Sequence, residues 1–187
     1  MKYKNVDLFA AMLYNCKELK GEDMKLKETV LKICKSKTFS VILCALWVIL
    51  IFSNSMKPAA QSSAQSDAVA KAIETVIKNT VGAETDLDSL ITTIRKSAHF
   101  GEFFILGLLC FYAKFNITKI ALGYFSQSLL FGACIALFDE TLQYGFSGRS
   151  PEVRDVWIDL LGFILATAIV AVTVLLMTRK RKKKFPQ

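Results

Sequence analysis

Four stretches of the chain contain no charged residue, and their lengths predict membrane-spanning helices. They contain 19, 11, 19 and 19 residues and cover Thr38–Met56, Phe103–Ala113, Ile120–Phe138 and Leu160–Thr178. A hydrocarbon core ~30 Å thick needs about 20 residues of apolar helix, so three stretches suffice and the second needs residues from its N-terminal side. The predicted fold is an all-α, polytopic membrane helical bundle. Its four transmembrane helices are predicted at about 38–56, 97–113, 120–138 and 157–178.

The segment between the first two spans contains an amphipathic pattern. Val69, Ile73, Val76 and Ile77 recur at helical spacing, which predicts an outer-loop helix beginning near Ser66 or Asp67 after a Ser/Gln/Ala-rich linker, residues 57–65. Three positions are open for this helix: it lies in the headgroup plane of the membrane, it covers the end of the bundle, or it only packs on neighbouring helices.

A second apolar stripe leads into the short uncharged stretch at Phe103. It predicts one long helix from about Asp88 to Tyr112 that enters the membrane near Ser97. The stripe consists of Leu87, Leu90, Ile91, Ile94 and Ala98.

The distribution of positive charge predicts the orientation. The chain of 187 residues has 24 Lys and Arg against 16 Asp and Glu, and 17 of the basic residues lie in 1–37, 114–119 and 179–184. Cytoplasmic segments retain positive charge, so both termini are expected in the cytoplasm and the protein in the cell membrane. The predicted division is a basic cytoplasmic N-terminal segment, a four-helix membrane domain and a basic cytoplasmic tail, at residues 1–37, 38–178 and 179–187.

Several classes of protein find no support in the sequence. The five cysteines form no CxxC pair, and HExxH and glycine-rich phosphate motifs are absent, so we predict no metal site and no cofactor. No cysteine lies in the predicted outer loops, so no structural disulfide is expected. The basic tail is expected to set topology and contact anionic lipids, without a nucleic-acid role. Met24 is an alternative start to Met1, and the first apolar run is expected to be a retained helix.

Ionisable residues converge on the predicted outer side of three helices. Arg95, His99 and Glu102 lie within about 60° of one helix face, with Lys96 beside them. A carboxylate such as Glu102 inside a membrane is costly and should face a partner or a wet cavity. The third helix ends in Asp139 and further polar residues.

The following loop and the fourth helix continue this polar region. The loop from Tyr144 to Pro151 has glycine and proline turn chemistry, and the next helix is expected to begin near Pro151–Val153 with Asp155, Asp159 and Gly162 on one stripe. The predicted binding residues share one leaflet and include both charge signs: Arg95, Lys96, His99, Glu102, Asp139, Glu140, Gln143, Arg149, Asp155 and Asp159. Arg154 is a further candidate for a positively charged binding residue.

At these residues the chain resembles the VanZ-like family of small integral membrane proteins, which is known from glycopeptide resistance. The resemblance covers roughly residues 42–175. It rests on three blocks: Arg95-Lys96-x-x-His99-Phe100-x-Glu102, Asp139-Glu140-x-x-Gln143, and Gly148-Arg149 followed by Asp155, Asp159 and Gly162. Leu142 stands where many members have a histidine, which leaves His99 as the only histidine and weakens a histidine metal triad.

The resemblance implies low-level resistance to teicoplanin or related lipoglycopeptides, without rebuilding the D-Ala-D-Ala terminus of peptidoglycan precursors. One hypothesis is that the protein is a non-enzymatic envelope factor. Its outward-facing arginine and lysine side chains would bind a lipid-linked precursor or the antibiotic. Another is a membrane enzyme acting on a lipid phosphate, sugar or acyl group, with Glu102, His99 and Asp139 as candidate catalytic residues and a carboxylate-bound Mg²⁺ or Ca²⁺ as a variant. A third is a polar network that only holds the helices together.

Overall fold

The computed structural model describes residues 36–81, 86–117 and 123–184. Within these ranges the chain forms five α-helices and no β-strand, which confirms the predicted all-α class. Residues 1–35 of the predicted N-terminal segment lie outside the described residues. The helices are α1 (Lys37–Ser55), α2 (Ala59–Val81), α3 (Leu87–Ile117), α4 (Gly123–Gln143) and α5 (Val153–Lys184).

Two helices are long and apolar enough to cross a membrane, judged by length and composition among the described residues. They are α1 and the part of α5 from Val153 to Thr173. In lipid, a helix satisfies its own backbone hydrogen bonds, which is why such apolar runs fold this way. The predicted spans at 97–113 and 120–138 fall mainly within α3 and α4, but their crossing of the membrane remains a prediction.

The prediction of a linker at residues 57–65 is wrong, because α2 already begins at Ala59. The carbonyl of Pro58 accepts hydrogen bonds from the amides of Gln61 and Ser62, at 3.0 and 3.1 Å, and so starts the helix. Proline preceding a first turn and alanine within it both favour helix, and this local preference outweighs the polar composition.

The helix α2 packs on α3, and Ala70 of α2 is fully buried. Part of the predicted apolar stripe stays exposed, since Val69 and Val76 are 48% and 63% accessible. These observations support helix packing on one side of α2 and leave its other apolar side open.

The long helix α3 is the centre of the bundle and contacts all four other helices. The core consists of apolar side chains from α1, α3, α4 and α5: Ile51, Phe103, Leu106, Ala136, Val156 and Phe163. The outward faces of α4 and α5 carry exposed apolar residues such as Leu130 and Leu161. An apolar exterior around a helical core is the arrangement expected of a bundle in lipid.

Glycines allow α3 and α5 to approach closely. A Cβ atom built at Gly162 would overlap the backbone carbonyl oxygen of Phe100, and one built at Gly107 would lie 2.9 Å from the Cβ of Ala166. Small residues at four-residue spacing, here Gly162 and Ala166, are a common device for packing membrane helices. This crossing brings the polar ends of the two helices together.

The C-terminal helix continues beyond its apolar part. α5 extends to Lys184, so much of the basic tail predicted at 179–187 continues the helix of the last predicted span.

Candidate functional site

A buried histidine and a buried aspartate meet where α3 crosses α5. The Nδ1 atom of His99 lies 3.4 Å from Oδ1 of Asp159, and Asp159 is completely inaccessible to solvent. The two groups form a close ion pair when His99 is protonated, but their geometry falls short of a hydrogen bond. The glycine crossing described above fixes this pair.

The end of α4 contributes a second buried polar group. Glu140 accepts hydrogen bonds from Nε2 of Gln143 at 2.7 Å and from the backbone amide of Glu152 at 3.0 Å. Because Glu152 immediately precedes α5, its amide is one that the helix leaves unpaired at its start. Glu140 therefore ties the end of α4 to the beginning of α5.

Asp139 lies next to Glu140 and is also completely buried. Neither of its carboxylate oxygens has a hydrogen-bond partner among the described residues. The Ser55 hydroxyl approaches this carboxylate, although without good hydrogen-bond geometry. A buried carboxylate without a partner is energetically costly, so this group requires a proton or a ligand.

Glu102 is held by the first helix. Its Oε1 atom accepts a hydrogen bond from Nδ2 of Asn54 at 2.6 Å, and Asn54 in turn accepts one from Nζ of Lys57 at 2.8 Å. The indole of Trp47 donates to the backbone carbonyl of Glu102 at 2.9 Å. Both the side chain and the main chain of Glu102 are thus anchored to α1.

Asn54, Lys57 and Trp47 are site residues that the sequence analysis missed. The polar run at the end of the first apolar stretch, Phe52-Ser53-Asn54-Ser55, was the available signal. Its position at the same leaflet as Glu102 would have pointed to a partner for that carboxylate.

A tight turn before α5 positions Arg149. Gly148 has φ of +75°, a conformation that favours glycine, and the amide of Ala59 donates to the carbonyl of Ser147 at 3.2 Å. Nη1 of Arg149 contacts Oγ of Ser62 at 3.4 Å, whereas its buried Nε has no partner among the described residues. Burial lowers the pKa of the Arg149 guanidinium, and the nearby charge of Arg95 lowers it further.

Two neighbouring cavities open onto these groups. The larger, of about 210 Å³, lies among α1, α2 and α3 and includes Asn54, Lys57 and Glu102 in its wall. The smaller, of about 90 Å³, lies at the loop before α5 and includes Gln143 and Asp155. Both cavities are lined by three of the predicted site residues: Arg95, His99 and Arg149.

The structure brings together most of the predicted residues. Around the two cavities and the buried groups behind them lie Arg95, His99, Glu102, Asp139, Glu140, Gln143, Arg149, Asp155 and Asp159. Lys96 is half-buried but lines neither cavity, and Arg154 is exposed on α5, also away from both. Arg154 lies about 100° from Asp155 around the helix, which explains why it points elsewhere.

Comparison with curated proteins and with solved structures gives no match. A protein-family model described as VanZ/LLP1 matches residues 39–176, well over half of the 187 residues. Together with the two apolar helices, this match indicates a membrane protein. The chain belongs to the VanZ/LLP1 family.

Proposed function

We propose that this protein is a multi-pass protein of the cell membrane, with both termini in the cytoplasm, that binds an anionic headgroup at its outer face. By doing so it lowers sensitivity to teicoplanin and related lipoglycopeptides. Family membership supports a link to glycopeptide resistance.

The observation that carries the proposal is the pair of guanidinium groups shared by both cavities. Arg95 and Arg149 are close enough to repel each other, and Nε of Arg149 is buried without a partner among the described residues. The carboxylates of Glu140, Asp139 and Asp155 offset part of this repulsion, and an anion bound between the two guanidinium groups offsets more of it. Guanidinium groups suit phosphate and carboxylate because two parallel N–H donors match two oxygens.

The size of the cavities favours a headgroup over a whole antibiotic. The larger cavity is about 210 Å³, whereas pockets for drug-sized ligands measure roughly 300–1,000 Å³. A phosphate with part of its attached sugar or glycerol fits such a space, and a glycopeptide does not. We therefore infer that the occupant is a lipid headgroup, such as that of a lipid-linked cell-wall precursor, and that the drug is affected indirectly.

The test is expression in a sensitive Gram-positive host with measurement of teicoplanin and vancomycin inhibitory concentrations. Wild-type protein should raise the teicoplanin value, and Arg149→Gln should abolish the rise. Arg154→Gln is the matched control, because it removes the same charge five residues away from an exposed position. Equal membrane amounts are verified by immunoblot.

Two results would oppose the proposal. No shift with correctly inserted wild-type protein would remove the resistance function. An Arg149→Gln variant as protective as Arg154→Gln would remove the headgroup site from it.

A second candidate function is enzymatic action on a lipid-linked phosphate, sugar or acyl group. His99 favours it, because this buried histidine contacts Asp159 and also lines both cavities, an arrangement that suits proton transfer. Turnover of such a lipid by the purified protein would support it, provided that Glu102→Gln abolishes turnover and Glu74→Gln, on α2 outside both cavities, does not. Binding without turnover would favour the first function.

A further inference from the structure

The geometry points to a divalent-cation site formed by His99, Asp139, Glu140 and Asp159. These residues come from three helices, α3, α4 and α5, and lie behind the cavities. Each offers one ligand atom, and the four atoms all lie within 4.8 Å of one another. This site is independent of the proposed role in resistance.

The distances are compatible with closure around one ion. Nitrogen and oxygen ligands bind first-row divalent ions at about 2.1 Å, so two ligands are about 3.4 Å apart on a tetrahedral ion, and about 3.0 Å (adjacent) or 4.2 Å (opposite) apart on an octahedral one. The upper limit of 4.8 Å on the separations in the observed cluster exceeds these distances by about 0.6 to 1.8 Å. Rotation of the carboxylates about their side-chain bonds can supply a movement of this size.

The second observation is the state of the carboxylates themselves. Both oxygens of Asp139 and both oxygens of Asp159 are buried without a hydrogen-bond partner among the described residues, as is Nδ1 of His99. Polar atoms at full burial normally have partners, so this concentration in one cluster indicates an absent ligand. The ligand must accept electron pairs from both oxygen and nitrogen, which a metal cation does.

Charge balance leads to the same conclusion. The cluster holds three carboxylates and one imidazole, and Asp159 and Asp139 are completely inaccessible. His99 must be neutral to coordinate a metal through a ring nitrogen, so the cluster with ionised carboxylates carries a net charge of about −3, which a divalent cation lowers to about −1. Glu140 retains coordination capacity, because its hydrogen bonds to Gln143 and Glu152 leave lone pairs on its oxygens.

The donor set narrows the class of ion. Carboxylates suit Mg²⁺, Ca²⁺ and Mn²⁺, whereas imidazole suits Zn²⁺ and other transition ions. One imidazole with three carboxylates therefore fits Mn²⁺ or Zn²⁺ better than Ca²⁺. A metal ion bound at these four residues would contradict the sequence-based expectation of no metal site.

The experiment uses the full chain, purified in detergent micelles, stripped with chelator and titrated with Mn²⁺ while free ion is measured by electron paramagnetic resonance. We expect one Mn²⁺ per chain, displaced by Zn²⁺. Asp159→Asn and Asp139→Asn should each weaken binding at least about 100-fold. Asp88→Asn is the matched control, because it makes the same change at an exposed position of α3 and should bind as wild type.

A spectroscopic measurement on wild-type protein keeps the test independent of how well the variants fold. Electron spin-echo modulation of bound Mn²⁺ should show coupling to one imidazole nitrogen, and His99→Gln should remove that coupling. Absence of stoichiometric Mn²⁺ and Zn²⁺ binding by folded wild-type protein would overturn the proposal. Bound Mn²⁺ without nitrogen coupling, or binding unchanged in Asp159→Asn, would also overturn it. Drug susceptibility plays no part in these readouts, so failure here is distinguishable from failure of the proposed function.

Discussion

Replacing Gly162 by alanine should push α3 and α5 apart. The new Cβ would overlap the carbonyl oxygen of Phe100 and would lie 3.1 Å from its carbonyl carbon and 3.2 Å from the amide nitrogen of Phe104. Carbon contacts are most favourable at about 3.5–4.0 Å. The obstructing atoms belong to the backbone of a helix and cannot rotate away, so the helices themselves must move.

The magnitude follows from comparison with a matched glycine. Gly101→Ala makes the same chemical change in α3, where a new Cβ meets nothing within 4 Å. Each variant gains about 0.5–1 kcal/mol because alanine favours helix over glycine, and this gain cancels in the comparison. The remaining difference is the cost of overpacking, about 1–3 kcal/mol, with Gly162→Ala the less stable protein.

The assay is reversible unfolding of both variants in mixed micelles, followed by circular dichroism to give the free energy of unfolding. Separation of α3 from α5 should also move His99 away from Asp159. Gly162→Ala should therefore lower the affinity for any ligand that these two side chains bind. Free energies of unfolding that agree within about 0.5 kcal/mol would refute the close helix crossing.

Three further predictions concern a hydrogen bond, a pair of cysteines and the orientation of the chain in the membrane. Asn54→Leu removes the hydrogen-bond donor to Glu102 and should lower the free energy of unfolding by about 1–3 kcal/mol in the same assay. Cys44 and Cys110, whose sulfur atoms are 3.6 Å apart, should form a disulfide under mild oxidation, detected by the mass of a linked peptide pair. A cysteine introduced by Gln61→Cys, at an exposed position of α2, should react with an impermeant thiol reagent added outside intact cells.

Each of these predictions has a control and an opposing result. Ser53→Ala changes an exposed neighbour, and a loss of stability equal to that of Asn54→Leu would argue against a specific bond. For the disulfide, the exposed Cys134 is the comparison, and preferential linkage of Cys134 to either partner would contradict the packing of α1 on α3. The labelling requires a background without native cysteines, and protection of the new thiol until cells are opened would reverse the proposed orientation.

Periodicity along each helix was the part of the structure most readable from sequence. The stripe of Asp155, Asp159 and Gly162 was predicted from spacing alone, and all three are buried on one face of α5. The predicted long helix from about Asp88 to Tyr112 lies within α3. Spacing succeeds here because each position turns by a fixed angle around its own helix.

Contacts between helices were much less readable. The anchoring of Glu102 by Asn54 and Trp47 depends on which helices are neighbours and at what height, and neither quantity is encoded in the period of a single helix. The start of α2 at Ala59 was hidden by polar composition, although local helix preference was present. Arg154 and Arg149 looked alike as charges, and only the turn at Gly148 and the rotation of α5 distinguish them.

The two bonds that α1 makes to Glu102 affect how mutants of this residue are interpreted. Trp47 donates a hydrogen bond to the main-chain carbonyl of Glu102, a group that any residue at this position would have. Asn54 donates a hydrogen bond to the side-chain carboxylate of Glu102. A substitution such as Glu102→Gln therefore alters the chemistry of the site while Trp47 still holds the register of α1. Trp47→Phe does the reverse, because it removes the hydrogen bond that fixes α1 against α3 and leaves the carboxylate of Glu102 in place. The two variants together separate the chemical role of Glu102 from its structural role.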